Sequence, residues 1–397
     1  MMKKTILLYL VLFTSILLID TIYPQQGSSN EKEIINTSGF NDSAHHWRDI
    51  TDSEQVFFPL PDQKRYDPLQ IRDIADNILL YQQKNGGWPK NYDMSAILTE
   101  KQKEILKKGK DSLNTTFDNG ATYTQVEYLA RAYSITKDDR YKNAAIKGIK
   151  FMLKAQYPNG GWPQFYPDTS GYRKYITFND DAMTGVMSVL LEIKQHEPYF
   201  SFIEKPLRKR VDKAFQKGMD CILKCQIKEN GKLTVWCQQH DNIDYSPRGA
   251  RTFELPGKCS EESVDIVLLL MKIKNPDPQI INSINSSVDW FKKSEIKGIK
   301  IKIVPASKVV YKYHKSSFDR VVIEDSTARP IWARFYELGT NKPFFANRDS
   351  KKVYKLSDVD RERRTGYAWY NYTPQEVLNA YPEWLAGIGK KSEDRND

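Results

Sequence analysis

A short turn that occurs twice constrains the fold of this chain more than any other feature of its sequence. Asn-Gly-Gly-Trp-Pro occupies residues 85–89 and returns at residues 159–163, and a partial third copy has Asn230-Gly231 followed by Trp236. Each copy follows an amphipathic segment that ends in glutamine, as expected where a helix stops at a glycine-rich turn. The roughly constant spacing predicts an array of structural repeats.

A second amphipathic segment lies between successive turns, so each repeat contains two helices. The apolar positions of these second helices recur at helical spacing: Val126, Leu129 and Tyr133; Val186, Leu190 and Ile193; Val264, Val267 and Leu270. One helix pair cannot bury its apolar face alone, so neighbouring pairs must stack. We therefore predict a mostly α fold, a partial (α/α) toroid of about three helix hairpins over residues 66–296.

The apolar period changes to two after residue 297. Ile299, Ile301 and Ile303 alternate with lysines, which predicts a half-buried strand. Residues 330–338 also read as extended, and residues 373–387 as a last helix. We predict a smaller mixed α/β region over residues 297–390 that completes a groove on the toroid, followed by a polar tail at 391–397.

The N-terminus indicates export. Lys3 and Lys4 precede an apolar stretch over residues 6–19, which is typical of a secretory signal peptide ending near residue 24. No Ala-x-Ala cleavage pattern follows, so an uncleaved signal anchor is the alternative. The protein is then secreted or periplasmic, and the polar residues 25–65 are interpreted as a linker-like segment.

The charge balance points to an acidic partner. The chain has 60 Lys and Arg against 50 Asp and Glu, a net charge of +10. In an exported protein this favours an acidic polysaccharide, although solubility alone would also explain it. No nucleic-acid recognition pattern is present. Four cysteines in 397 residues are too few for a disulfide scaffold, and the absence of a Cys-x-x-Cys pair argues against a four-thiolate zinc site. Cys237 and Cys259 could still pair. The oligomeric state is not encoded in any visible pattern, and a monomer is the default.

Polar clusters precede the second helix of each repeat, at Asp118-Asn119, at residues 179–181 and at residues 251–262. If the repeats stack, equivalent loops meet at one end of the array, which brings Asp118, Asn119 and Asp180 together with Arg251 nearby. Carboxylate and amide oxygens are the ligands that Ca²⁺ prefers. The alternative is helix capping, for which Asp and Asn are equally suited.

Arginines are concentrated near the C-terminus, where seven fall within 45 residues: Arg320, Arg329, Arg334, Arg348, Arg361, Arg363 and Arg364. A guanidinium group matches a carboxylate with two parallel hydrogen bonds. Surface ion pairing is the simpler explanation for those at 361–364. Arg334 lies in an apolar strand, where it requires a buried partner or a ligand.

Several stretches together resemble one known family, the pectate lyases of polysaccharide lyase family ten. The matching segments are NGGWPK (85–90), TTFDNGAT (115–122), NGGWPQFY (159–166), YITFND (175–180), WCQQHD (236–241), RTFELP (251–256), WARFY (332–336), NRD (347–349) and ERRTGY (362–367). They follow the family's order over three quarters of the chain, which makes the resemblance specific.

The resemblance implies Ca²⁺-dependent β-elimination of α-1,4-polygalacturonate to 4,5-unsaturated oligogalacturonates. By motif, Asp118, Asn119 and Asp180 would hold the calcium ion. Arg251 would take the C5 proton. The substrate-binding residues implied are Arg334 and Arg348, and Arg348 is also the second choice for the base. Because arginine normally stays protonated, we expect an alkaline optimum, with neighbouring positive charges favouring the neutral form of the base.

The sequence departs from the family pattern at two positions, and two other functions are compatible with it. Asp181 stands where some members have Asn, which adds a carboxylate near the metal, and Ser350 stands where Gly is common. One alternative is an α/α-toroid glycoside hydrolase with Asp180 or Glu254 as the acid. The other is a non-catalytic protein that binds acidic polysaccharide.

Overall fold

The computed structural model describes residues 34–50 and 54–393. The predicted signal peptide lies outside these residues, and so does the end of the predicted polar tail. Within the described ranges, no helix is both long and apolar enough to cross a membrane.

Eleven α-helices are present in the described residues. They are α1 (Asn41–Asp49), α2 (Ile71–Tyr81), α3 (Glu100–Lys108), α4 (Tyr123–Thr136), α5 (Asp139–Ala155), α6 (Ala182–Lys194), α7 (Lys205–Cys225), α8 (Ser260–Met271), α9 (Pro278–Lys293), α10 (Arg361–Gly366) and α11 (Pro374–Glu393).

The helices form two rows, which confirms the predicted mostly α toroid. Helices α4, α6 and α8 pack side by side in an inner row, and α2, α5, α7 and α9 form an outer row against them. Helix α6 is buried over nearly its whole surface, as expected for a helix enclosed between neighbours. The last helix, α11, packs against α8 and α9 and extends the array.

The repeated turns fix the outer helices to one another. In each repeat a buried tryptophan donates its indole N–H to a carbonyl of the preceding outer helix: Trp88 to Ile78 at 2.8 Å, Trp162 to Met152 at 2.8 Å and Trp236 to Ile222 at 2.7 Å. In the first two turns a glycine with positive φ, Gly86 at 100° or Gly160 at 96°, packs against the backbone of the next outer helix.

Thirteen short or hairpin strands accompany the helices in the described residues. They are β1 (Ile176–Thr177), β2 (Lys228–Glu229), β3 (Lys232–Leu233), β4 (Gln239–His240), β5 (Pro247–Arg248), β6 (Lys258–Cys259), β7 (Ile299–Val310), β8 (Lys315–Glu324), β9 (Trp332–Ala333), β10 (Phe335–Tyr336), β11 (Pro343–Ala346), β12 (Lys352–Val353) and β13 (Tyr370–Asn371).

Small antiparallel sheets join the predicted C-terminal region to the helical repeats. Strands β7 and β8 form a long antiparallel hairpin, which confirms the strand predicted at residues 299–303. Strand β10 pairs on one side with β11 and on the other with β6, which belongs to the third repeat. The strand-containing region is therefore attached to the end of α8 from which the polar cluster of that repeat projects.

The N-terminal segment differs from its linker-like interpretation. It contains α1, whose Trp47 is 1% exposed and donates its indole N–H to the carbonyl of Phe57 at 2.8 Å. Phe40 is also buried, and Arg48 pairs with buried Asp93 at 2.5 Å. The linker-like interpretation rested on the polar composition and gave no weight to Phe40 and Trp47. The burial of these two aromatic side chains attaches the segment to the toroid.

The cysteines form no disulfide in the described part of the chain. Cys221, Cys225, Cys237 and Cys259 are all buried with free thiols. The suggested pairing of Cys237 with Cys259 is therefore not observed.

Candidate functional site

Two strained turns stand directly before the inner helices α4 and α6. Asn119 has φ 51° in the turn at Asp118–Gly120, and Asp180 has φ 49° in the turn at Asn179–Asp181. The left-handed conformation is unfavourable for a residue with a side chain, and it concentrates at functional sites. Neither α4 nor α6 receives a hydrogen bond from a capping side chain. Capping therefore does not explain these acidic turns.

The turns at Asp118–Gly120 and Asn179–Asp181 pack against each other, as predicted, and each of the two carboxyl groups, Asp118 and Asp180, shifts the pKa of the other. Burial raises the pKa of Asp180 well above its ordinary value, and the Asp118 carboxylate raises it further. Burial would also raise the pKa of Asp118, but the ammonium of Lys90 outweighs it and holds that pKa below its ordinary value. The charge of Lys90 is therefore matched by that of Asp118, and Asp180 favours its protonated form when no other cation is present.

Asp118 is held in place by three further groups. Its Oδ2 accepts a hydrogen bond from Lys90 Nζ at 2.5 Å, and its Oδ1 accepts one from Gln164 Nε2 at 2.9 Å. Lys90 also contacts Glu54 at 2.9 Å. The backbone N–H of Asp118 donates to the hydroxyl of Thr116 at 3.0 Å. The position of this carboxylate is thus fixed from several sides.

Asn119 is the third residue that the sequence predicted as a metal ligand. It is 2% exposed, and its amide nitrogen donates to Asn91 Oδ1 at 2.8 Å. Two adjacent carboxylates and a nearby amide form an oxygen-rich donor set that suits Ca²⁺, and a cation would relieve the repulsion between Asp118 and Asp180. No group of three His, Cys, Asp or Glu side chains within the described ranges forms a preassembled metal site.

Asp181 does not join this pair directly. It lies immediately before α6 with φ 58°, and its carboxylate accepts a hydrogen bond from the hydroxyl of Thr184 at 3.0 Å. The additional carboxylate noted in the sequence is therefore bonded to the first turn of α6. The second departure has a backbone explanation: Ser350 has φ 64°, a conformation that favours glycine.

Arg251 is positioned by Glu254. Its Nε donates to Glu254 Oε2 at 2.7 Å, a second guanidinium nitrogen pairs with Oε1, and the side chain remains 43% exposed. Partial burial would lower the pKa of Arg251, but the Glu254 carboxylate raises it well above its ordinary value. The expectation that surrounding positive charges favour neutral Arg251 is thus wrong for this arrangement, because the nearest charge is negative.

Arg251, Arg334 and Arg348 meet around two aromatic rings. The guanidinium carbons of Arg251 and Arg348 lie 5.1 and 5.3 Å from the ring centroid of Phe253. Those of Arg251 and Arg334 lie 5.7 and 4.7 Å from the ring of Tyr367. The rings of Phe253 and Tyr367 are in edge contact at 5.1 Å. All three predicted arginines therefore surround one aromatic cluster.

Each of the two proposed substrate-binding arginines has a carboxylate partner of its own. Buried Arg334 pairs with Glu262 and lies 3.2 Å from Glu261, which supplies the buried partner that the sequence required. Its Nε is buried without a hydrogen-bond acceptor in the described chain. Arg348 is 41% exposed and donates two hydrogen bonds to Glu362, at 2.9 and 3.0 Å.

Sequence reasoning assigned no role to several residues that organise the site. Gln238 Nε2 donates to Asn179 at 2.8 Å, to Glu262 at 2.7 Å and to the Tyr367 hydroxyl at 3.2 Å. The Tyr367 hydroxyl in turn donates to Glu254 at 2.9 Å. This network links the second turn to the arginine cluster. Lys90, Gln164 and the network members other than Glu262 lie in the segments that carry the family resemblance, and Glu262 lies in the polar cluster at residues 251–262; these were the available signals.

Comparison with known proteins agrees with this arrangement. A family model described as pectic acid lyase matches residues 82–378. A family 10 polysaccharide lyase from Cellvibrio cellulosa has a similar structure, with a TM-score of 0.68 and 33% identity over 79% of this chain and 92% of that chain. A mutant of a family 10 polysaccharide lyase from the same organism, in complex with trigalacturonic acid, gives a TM-score of 0.69 with the same identity and coverage. None of the curated proteins matches the sequence. From the family match over most of the chain and the shared fold, we conclude that this protein is a polysaccharide lyase and belongs to the pectate lyases of family ten.

Proposed function

We propose that this enzyme is exported and cleaves α-1,4-polygalacturonate by Ca²⁺-dependent β-elimination. The observation that carries the proposal is the meeting of the Asp118–Asp180 pair with the arginine cluster. Arg334 donates to Asn179 Oδ1 at 3.4 Å in the turn that contains Asp180, and Arg251 is among the groups that lower the pKa of Asp180. A cation site and a set of guanidinium groups are the two features needed to bind a polyanionic sugar.

The roles follow from the chemistry of proton removal next to a carboxylate. Asp118, Asn119 and Asp180 would hold the calcium ion, which when bound neutralises charge on the uronate and so acidifies its C5 proton. Arg334 and Arg348 would bind uronate carboxylates. One unit charge at about 4 Å, in an effective dielectric near 20, is worth roughly 4 kcal/mol, or about a thousandfold in rate.

Arg251 is the proposed acceptor of the C5 proton. Its side chain is 43% exposed, so the guanidinium can reach a bound chain. Because Glu254 raises the pKa of Arg251, only a small neutral fraction exists near neutral pH, and activity should rise toward alkaline pH. Arg348 remains the second choice. Arg251 is preferred because its charge acts on Asp180 and that of Arg348 is not among the principal influences there.

The hydrolase alternative loses one of its two candidate acids, Glu254, whereas Asp180 has the raised pKa that an acid requires but belongs to the proposed metal site. A general acid must be protonated before the reaction. Burial would raise the pKa of Glu254, but Arg251 lowers it below its ordinary value, which keeps this carboxylate ionised. The family assignment also favours elimination over both hydrolysis and simple binding.

The test is the ultraviolet absorbance of polygalacturonate digests with Ca²⁺ and with a chelator. Elimination creates a conjugated double bond, so absorbance should rise in Ca²⁺ and stay flat with chelator. Arg251→Lys should lose most of this activity, while Arg210→Lys, on the exposed side of α7, should retain it. Normal turnover by Arg251→Lys would refute the assignment of Arg251 as the base. Cleavage of polygalacturonate without a rise in absorbance would refute the elimination reaction.

A further inference from the structure

The third repeat turn differs from the first two in length. Trp88 and Trp162 each follow their helix-ending glutamine by six residues, but Trp236 follows Gln226 by ten. The additional residues form the β2–β3 hairpin, with Gly231 at its tip. A Cβ on Gly86 would lie 2.6 Å from a carbonyl oxygen of α5, whereas one on Gly231 would have nothing within 4 Å. The tip of the third turn therefore stands away from the next outer helix, α9, although β3 at the base of the turn contacts that helix.

The space left by this hairpin is a cavity of about 730 Å³. It is bounded by the β2–β3 hairpin, by α9 and by the loop that contains Gly339 and Asn341. This volume lies in the range of known small-molecule sites, roughly 300–1,000 Å³. It is large for a single inorganic anion and sufficient for a sugar unit.

The wall of the cavity is fixed by a buried ion pair. Lys258, whose side chain is 1% exposed, donates to Glu229 Oε2 at 2.6 Å. The other carboxylate oxygen of Glu229 accepts the backbone N–H of Gly339 at 2.6 Å. The hairpin, strand β6 and the loop are thereby joined, so the cavity is largely formed before any ligand enters.

The cavity has a positive charge available for a ligand. Four lysines line it against two carboxylates, Glu229 and Asp289. Three of these lysines, Lys228, Lys232 and Lys293, are exposed and form no ion pair in the described part of the chain. The remaining lining offers amide and hydroxyl groups, among them those of Asn230, Asn282 and Ser286.

The cavity is separate from the arginine cluster. Consecutive residues of a strand face opposite sides, and on β6 Lys258 pairs with Glu229 in the cavity wall. The next residue, Cys259, instead contacts Glu262, the partner of Arg334. One short strand thus divides the two sites.

We propose that this cavity is an accessory binding site for a uronate unit of an acidic polysaccharide. Ammonium groups would bind the carboxylate, and the amides and hydroxyls would bind the ring hydroxyls. The choice of uronate rests on the proposed function, because a chain long enough to occupy the catalytic groove can present another unit here. The third turn, which is only a partial copy of the repeated sequence, then has a binding function that the first two turns lack.

The experiment is calorimetric titration of the full chain with trigalacturonate in the presence of chelator, so that no turnover occurs. The test variant is Lys228→Ala/Lys232→Ala/Lys293→Ala. The matched control is Lys209→Ala/Lys213→Ala/Lys274→Ala, which removes the same charge from exposed positions elsewhere. We expect the test variant to bind about tenfold more weakly, from three exposed ionic contacts together, and the control to bind like the parent.

Three outcomes would overturn the proposal: equal binding by the test and control variants, equal binding of a neutral trisaccharide, or binding of inorganic phosphate without binding of trigalacturonate. The ultraviolet assay keeps this result distinct from the proposed function. Loss of cavity binding with full turnover on trigalacturonate supports a separate site. Selective cavity binding in a chain without lyase activity would refute the proposed function and leave the uronate site standing.

Discussion

The contact between Lys90 and Asp118 provides a sharp test of the charge arrangement at the candidate metal site. The Asp118 side chain is 3% exposed and that of Lys90 11%. Replacing Lys90 by methionine keeps the apolar stem and removes the charge that compensates Asp118. Leaving a buried charge without its partner costs about 3–5 kcal/mol.

This loss of stability can be converted into a decrease in melting temperature. An unfolding entropy of about 2.1 cal/mol/K per residue gives roughly 0.8 kcal/mol/K for a chain of this length. Lys90→Met should therefore melt about 4–6 °C below the parent in chelator. The matched control is Lys84→Met, because Lys84 and its partner Asp111 are 68% and 73% exposed and such a pair is worth at most about 1 kcal/mol.

Calcium should reduce the difference. In Lys90→Met the ion meets no competing ammonium at Asp118, and saturation at about a hundred times Kd stabilises the fold by about 2.7 kcal/mol. The assay is thermal unfolding followed by circular dichroism, in chelator and in millimolar Ca²⁺. Calcium should raise the melting temperature of Lys90→Met by more than that of the parent. Equal melting of Lys90→Met and Lys84→Met in chelator, or an equal calcium shift in all three proteins, would refute the reasoning.

Three further predictions concern the base, the turns and a buried histidine. Glu254→Gln removes the charge that raises the pKa of Arg251, so the alkaline rise of kcat/KM should move to lower pH; an unmoved profile would argue against Arg251 as base. Gly160→Ala would force a Cβ into the backbone of α7 and should cost about 3 kcal/mol or more in urea unfolding, while Gly231→Ala should cost about 1 kcal/mol; equal costs would contradict the open third turn. Burial lowers the pKa of His240 from 6.5 to about 4, so the unfolded chain binds a proton first and stability should fall by about 3 kcal/mol as pH drops from about 6.5 to 4; a His240→Gln variant with the same pH dependence would contradict this.

The repeat architecture was predictable because it depends on local features. The Gly-Gly-Trp-Pro turns and the helical period of residues such as Leu129 and Leu190 report directly on helix ends and buried faces. The alternation at Ile299 and Ile301 likewise identified β7. Helix α1 was missed because it is mostly polar, with Trp47 as its one large buried side chain, and because it belongs to no repeat.

The residues that form the site could be predicted from the sequence, but the charge interactions among them could not. Stacking of equivalent loops was enough to bring Asp118 and Asp180 together. The pairing of Arg251 with Glu254 was not visible, because a turn of four residues can direct a side chain toward either a neighbour or a ligand. The cavity beside the third turn was also hidden, since it results from how an insertion folds rather than from which residues it contains.

The most direct measurement of the central claim is the mass of the products that the enzyme makes from polygalacturonate in Ca²⁺. β-Elimination predicts oligogalacturonates whose non-reducing ends are unsaturated and therefore one water lighter than saturated oligomers. These products should disappear when Asp118 and Asp180 are both replaced by alanine. Saturated products alone, or unchanged unsaturated products from that double variant, would contradict the account.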